Sequence, residues 1–229
     1  MLAPFSALAL ALSLIVAYVR RRRAQDPAQT AIVSPQRSTV VSGDGQVRSV
    51  QSADLTVRPG DLDRIWGAAN LENLARTYWL FLTRVTLGLV RVYYEKDKRI
   101  VCLISPRIPL LRFEAPQYTL EENHGHVEWR IRDGLLVARS GRNSGFLALD
   151  VVRRPTEPSG STVLHIEVEV SAFYPSIAVG FGIPVYKVTQ SFVHGLVTHA
   201  FLRSLGRLNL AQSRIGALAQ QISDRLPRH

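Results

Sequence analysis

From Leu89 to Val170 apolar residues recur at every second position, segment after segment, with short polar breaks between them. A period of two is that of a strand with one buried face. Val127, Trp129 and Ile131 alternate with Glu128, Arg130 and Arg132. Leu164, Ile166, Val168 and Val170 alternate with His165, Glu167 and Glu169. The breaks fall at 96–98, 123–125, Asp133 with Gly134, 140–145 and 155–160, and a run back over Leu135–Arg139 is expected as a strand too. Consecutive strands with short connections make an antiparallel meander, not a series of βαβ units. A sheet of this kind must bury its apolar face against something large.

The covering element is expected at the other end of the chain. Between Val185 and Leu208, Phe192, Val193, Leu196, Val197, Ala200, Phe201 and Leu208 recur at three- and four-residue spacing, the pattern of a helix with a wide buried face. Two further helices precede the strands. Asp61 suits the N-cap of a short one through Ile65 and Trp66, after a turn at Arg58, Pro59 and Gly60. Leu71, Leu74, Ala75, Tyr78, Leu82 and Val85 mark a longer one ending at Gly88. The expected class is α+β: a curved antiparallel sheet of about six or seven strands around a long C-terminal helix.

Residues 2–19 carry no charge and are mostly Leu, Ala, Ile and Val, a length at the lower edge of what spans a bilayer, which takes about 17 residues or more. Arg20, Arg21, Arg22 and Arg23 follow immediately. A signal peptide carries its positive charge before the apolar run. Here it comes after, so the positive-inside rule favours an uncleaved transmembrane helix with its amino terminus outside and the domain cytoplasmic. Cleavage with export is the alternative. The expected divisions are an anchor with its basic flank at 1–23, a flexible linker at 24–53, a domain at 54–210 and a partly helical tail at 211–229. Within the linker, a hairpin around Gly43, Asp44 and Gly45 suits the sequence.

The net charge is +10, spread as scattered arginines apart from that run. Aromatic and basic residues do not interleave on any one strand face, which argues against nucleic-acid binding. A basic surface held at a bilayer attracts anionic lipid, at about 1 kcal/mol per nearby basic residue. Cys102 is the only cysteine, in an apolar run, so neither a disulfide nor a cysteine-rich zinc site is available.

Few residues suggest chemistry. His194 and His199 are five apart on the expected helix, so they point about 140° apart and do not share a metal. Ser191, His194 and Thr198 form a polar stripe that points either into a cavity or to solvent. His124 and His126 flank a glycine near Glu121 and Glu122, at a spacing that fits no metal motif and suits a solvated turn. Asp150 is a lone carboxylate in an apolar strand: an outward-facing position is the default, and an inward-facing one would need a partner and could be functional. No phosphate loop or dinucleotide fingerprint is present, and no cofactor is expected. The stretch Ser171–Tyr186 reads as a long apolar loop: a lid, a membrane-dipping lip or a segment folded onto the core.

Two helices, a strand meander and a closing helix, with Gly125–Ile131 (GHVEWRI) and Gly145–Val151 (GFLALDV) among the strands, resemble the START-like helix-grip superfamily (SRPBCC), which includes polyketide cyclase-like and lipid-transfer domains. The resemblance spans Asp54 to about Leu210. It implies a cavity between sheet and closing helix that often holds a lipid or other apolar ligand, and it brings no universal catalytic motif. The candidate ligand contacts are Trp129, Asp150, Tyr174, Tyr186, Gln190, Ser191, His194 and Thr198. The expected partners are anionic membrane lipid and an apolar small molecule. A cyclase- or hydrolase-type enzyme using His194 and Asp150 is the alternative, as is a membrane-tethered interaction module.

Overall fold

The computed structural model describes residues 28–33, 39–95, 98–154, 160–176, 198, 200–207 and 210–211. The expected anchor at 1–23, its four arginines, most of the apolar stretch after Ser176 and the first half of the expected closing helix lie outside the described residues. Among those described, no helix is long and apolar enough to cross a membrane.

Among the described residues, ten antiparallel strands form one sheet. They are β1 (Gln29–Ile32), β2 (Thr39–Val41), β3 (Val47–Val57), β4 (Val90–Tyr94), β5 (Lys98–Leu103), β6 (Pro109–Glu114), β7 (Gln117–Leu120), β8 (His124–Asp133), β9 (Phe146–Arg153) and β10 (Thr162–Phe173). The helices α1 (Pro59–Ile65) and α2 (Ala68–Val85) fall between β3 and β4. The strand order is β1-β3-β10-β9-β8-β6-β5-β4, with β2 also on β3 and β7 also on β8.

The strand count exceeds the expected six or seven for two reasons. The region expected as a flexible linker contains β1, β2 and most of β3. β3 lies inside the sheet, paired with β10 from Val57–Thr162 to Val47–Phe173. Its alternation is hidden because Ser49 and Gln51 are polar yet face inward and are buried. The hairpin around Gly43 is present, joining β2 to β3. In addition, β6 and β7 are one path along β8, interrupted at Ala115 and Pro116, since Phe113 opposes Ile131 and Gln117 opposes Glu128. Pro116 lacks the N–H a ladder needs.

Three local expectations change. Arg58, not Asp61, occupies the N-cap of α1, because Pro59 takes the first helical position. Leu135–Arg139 is not a strand. It is a turn region in which only Val137 bridges, to Pro175, followed by a 3-10 turn at Arg139–Gly141. β10 continues through Ser171, Ala172 and Phe173 with a bulge after Val170, so the apolar stretch begins as strand.

β3 pairs with β10, the last strand, α1 and α2 follow β3, and a helical segment follows β10. That is the helix-grip order. Of the closing segment, Thr198 and Ala200–Ser204 are helical and Leu205–Arg207 forms a 3-10 turn. Phe201, Leu202 and Leu205 are buried in the one apolar core. An aromatic chain links the layers. Trp129 of β8 meets Trp79 of α2 at 5.3 Å between ring centroids. Tyr78, one residue along, meets Phe201 at the same distance.

Candidate functional site

At one end of the core a small cleft remains, partly open to solvent, whose water-accessible space is about 40 Å³. Leu55 of β3, Val151 of β9, and Leu164 and Ile166 of β10 form its floor. The corner where α1 meets α2 supplies Ile65, Trp66 and Leu71, and Leu205 and Leu210 close the C-terminal side. Gly67 makes this corner: its φ of 146° is a conformation that favours glycine. Gly125 thins the floor, and a methyl there would touch Leu71 and Leu120 at 3.5 Å. Asn70 is the one polar side chain among the described lining residues that is not aromatic. The space between the sheet and the described part of the closing helix is filled by the aromatic chain instead.

The sequence candidates separate in space. Trp129 is buried, its indole N–H without an acceptor, beside Trp79 in the same situation. Thr198 is fully buried. Burial pushes the Tyr78 phenol up to about 12, against the opposing effect of the Thr198 hydroxyl. Tyr174 belongs to a surface contact: its hydroxyl donates to Asp44 Oδ2 at 2.9 Å and accepts from Gln46 Nε2 at 3.3 Å. Tyr186, Gln190, Ser191 and His194 lie outside the described residues.

Asp150 does not face the interior. It stands between buried Leu149 and Val151 and so projects from the outer face of the sheet. His124 and His126 are not turn residues but the first outward positions of β8. His126 is the cross-strand partner of Asp150. The carboxylate oxygen Oδ1 accepts from His124 Nε2 at 2.9 Å and from His126 Nδ1 at 2.7 Å. Burial raises the Asp150 pKa, but these two hydrogen bonds outweigh it and hold it below the ordinary value. The bond to Asp150 raises that of His126. Further along the face, His165 Nδ1 lies 2.6 Å from Asp54 Oδ1, and Arg154 donates to Asp54 Oδ2 at 3.0 Å. Glu169 pairs with Arg48 and Glu128 with Arg130.

A buried polar group on the opposite flank was not legible in the sequence. Arg99, 4% exposed, projects inward from β5 and stacks on Tyr94 at 5.0 Å. It donates to the carbonyls of Glu95 and Lys98 at 2.8 and 2.9 Å. Burial lowers its pKa, opposed by Tyr118, Tyr94 and the buried Glu72 of α2. Burial and Glu72 together raise the Tyr118 phenol.

A third feature is an exposed apolar tip. Leu87, Leu89 and Ile104 are 91, 54 and 55% exposed, and Ile108 and Leu135 are exposed beside them. The Ile104 N–H bonds the Leu89 carbonyl at 2.7 Å, and the Leu135 N–H bonds that of Pro109 at 3.0 Å, so these segments adjoin. Leu87 and Ile104 have φ of 52° and 61°, costly for a side chain with a Cβ and most so for the β-branched Ile104. The three contributing stretches, 81–94, 103–113 and 134–149, contain arginines and no acidic residue.

No family model and no curated protein matches the chain. Solved structures of helix-grip, START-like fold are among its structural neighbours. Human STARD10 is 10% identical, covering 90% of this chain and 83% of that one, with a TM-score of 0.32. Ara h 8.0201 is 9% identical over 71% of this chain and 99% of that one, at 0.31. Norcoclaurine synthase from Thalictrum flavum, in complex with dopamine and hydroxybenzaldehyde, is 13% identical over 79% and 94%, at 0.30. Likeness at this level carries no argument, and the helix-grip fold rests on the strand order and helix placement of the chain itself.

Proposed function

We propose that this chain is a single-pass membrane protein whose helix-grip domain holds an apolar, lipid-like ligand at the cytoplasmic face of an anionic bilayer. The observation that carries the reading is the cleft, whose aliphatic floor and walls suit a hydrocarbon chain. Burial of such a chain gains about 0.8 kcal/mol per CH₂. Asn70, at the rim of the α1–α2 corner, stands where a ligand headgroup would emerge. Residues 2–19 supply the anchor, and Arg20 to Arg23 hold the domain on the cytoplasmic side. The exposed apolar tip, with Arg84, Arg91 and Arg107 in the stretches that form it, suits an anionic lipid surface.

Native mass spectrometry of the full chain released from detergent, followed by organic extraction, tests the ligand. A stoichiometric lipid or isoprenoid is the expected result. An empty protein that also fails to take up a fluorescent fatty acid overturns the carrier reading. Protease protection in sealed vesicles tests the orientation independently.

A further inference from the structure

We infer that His124 Nε2, His126 Nδ1 and Asp150 Oδ1 form a binding site for a borderline divalent cation of the zinc type, on the outer face of the sheet and separate from the cleft. The three ligand atoms lie within 4.8 Å of one another. They come from adjacent strands, and the backbone ladder fixes their relation: His126 is paired directly with Asp150, and His124 is two residues along the same face. Residues at i and i+2 of a strand project to one side, so no rearrangement of the chain is needed to bring them together.

The geometry requires only small side-chain adjustments. A tetrahedral ion with bonds of about 2.0–2.2 Å keeps its ligand atoms about 3.3–3.6 Å apart. Asp150 Oδ1 is now 2.9 and 2.7 Å from the two imidazoles, the spacing of hydrogen bonds. A cation replaces both bonds, and the proton on each ligating nitrogen moves to the other ring nitrogen or leaves to solvent. The three side chains are part-exposed, so an ion has an entry path and keeps a position open to water.

The charge pattern of the face points the same way. Three of its carboxylates, Asp54, Glu128 and Glu169, are matched with arginines. Asp150 is matched with histidines instead, in a chain with a net charge of +10 and arginine in excess. Glu167 is the direct cross-strand partner of Asp150. Its one ion-pair contact among the described residues is with His165 at 4.0 Å. Two carboxylates directly opposed across a ladder repel, and a divalent ion at Asp150 offsets that cost. Imidazole and carboxylate together suit zinc, cobalt or nickel better than calcium or magnesium, which prefer all-oxygen shells.

The test uses the full chain in detergent, stripped with a chelator and titrated with Co²⁺ alone, read by the visible d–d absorption of the bound ion. The expected result is one Co²⁺ per chain, displaced by Zn²⁺. Affinity should fall by more than about a hundredfold in Asp150→Asn and in His126→Gln, beyond the 10–100-fold range of lost supporting contacts. It should be unchanged in His165→Gln on the same face. Circular dichroism without metal reports whether each variant folds, and His124→Gln replaces any that does not. Absence of saturable binding, or equal binding by the wild type and the folded variants, overturns the site. The ligand content of the cleft is read separately and does not depend on this result.

Discussion

The rings of Tyr78 and Phe201 meet edge to face, with centroids 5.3 Å apart and planes at 86°. This contact ties α2 to the closing segment, and Phe201 also meets Phe81 at 6.3 Å. Phe201 is fully buried, so truncation leaves a cavity in the middle of the aromatic chain. Phe201→Ala should cost about 3–5 kcal/mol, and Phe201→Leu much less. Urea unfolding of the two variants checks the ordering.

Alkaline pH should act through Tyr78 of this pair. The Tyr78 phenol titrates at about 12 in the folded chain and at about 10 when unfolded. Below the unfolded value both states hold the proton and the fold is at full strength. As pH rises between the two values the unfolded state ionises first, and stability is lost. Ultraviolet absorbance should show late tyrosine ionisation from Tyr78 and Tyr118, with one late transition missing in Tyr78→Phe.

At the acid end, Asp133 reports on the junction of β6 and β8. Burial acts to raise its pKa, but hydrogen bonds from Arg112 at 2.7 Å and Arg132 at 3.1 Å outweigh it and hold it low. A carboxyl depressed by folding stabilises the fold above its unfolded pKa, and that contribution disappears as pH falls through the folded value. The pair is part-exposed, so the effect is small. Arg112→Met should move the Asp133 titration, followed by NMR, toward the ordinary range and flatten the acid limb of stability.

Filling the cleft should separate ligand uptake from folding. Leu164→Trp projects a larger ring from β10 into the apolar space beside Leu71 and Val151. Overpacking costs about 1–3 kcal/mol, so the variant should remain folded by circular dichroism. Loss of co-purifying lipid without loss of fold is the expected outcome. Retention of lipid would move the ligand elsewhere.

The tip should trade stability against membrane contact. Ile104→Gly relieves a left-handed backbone conformation worth about 1–2 kcal/mol, partly offset by glycine's greater chain entropy. Its urea midpoint should rise. Quenching of a fluorophore on residue 87 by lipid-borne quenchers should weaken in the same variant, with Cys102 replaced beforehand. A higher midpoint with unchanged quenching would leave the strain without a membrane role.

A tight backbone crossing offers a purely structural check. A methyl at Gly134 would collide with the Leu110 carbonyl oxygen, and the φ of 144° there already disfavours a side chain. Gly134→Ala should cost about 3 kcal/mol or more, read by thermal unfolding.

The alternations at Val127–Arg132 and Leu164–Val170 and the period of α2 were legible because one face of each element is apolar throughout. β3 was not, because Ser49, Gln51 and Ser52 interrupt its pattern while the neighbouring strand supplies the burial. The run over Leu135–Arg139 misled for the opposite reason: it is apolar, yet most of its backbone bonds to turns and loops. The histidines of β8 read as a turn because glycine between two polar residues is a turn signal. In the sheet that glycine is instead the thin point under Leu71.

The sequence by itself determined the class of structure: a meander of antiparallel strands with two helices before it and a helix after it, since hydrophobic period is a local property of the chain. Only the tertiary structure decided that β3 lies beside β10 and which residues meet across the sheet. Asp150 joins His124 and His126, and not the interior, because pairing register sets both the face and the neighbour of every side chain. Those pairings link residues 24 or more positions apart, and no local spacing encodes them.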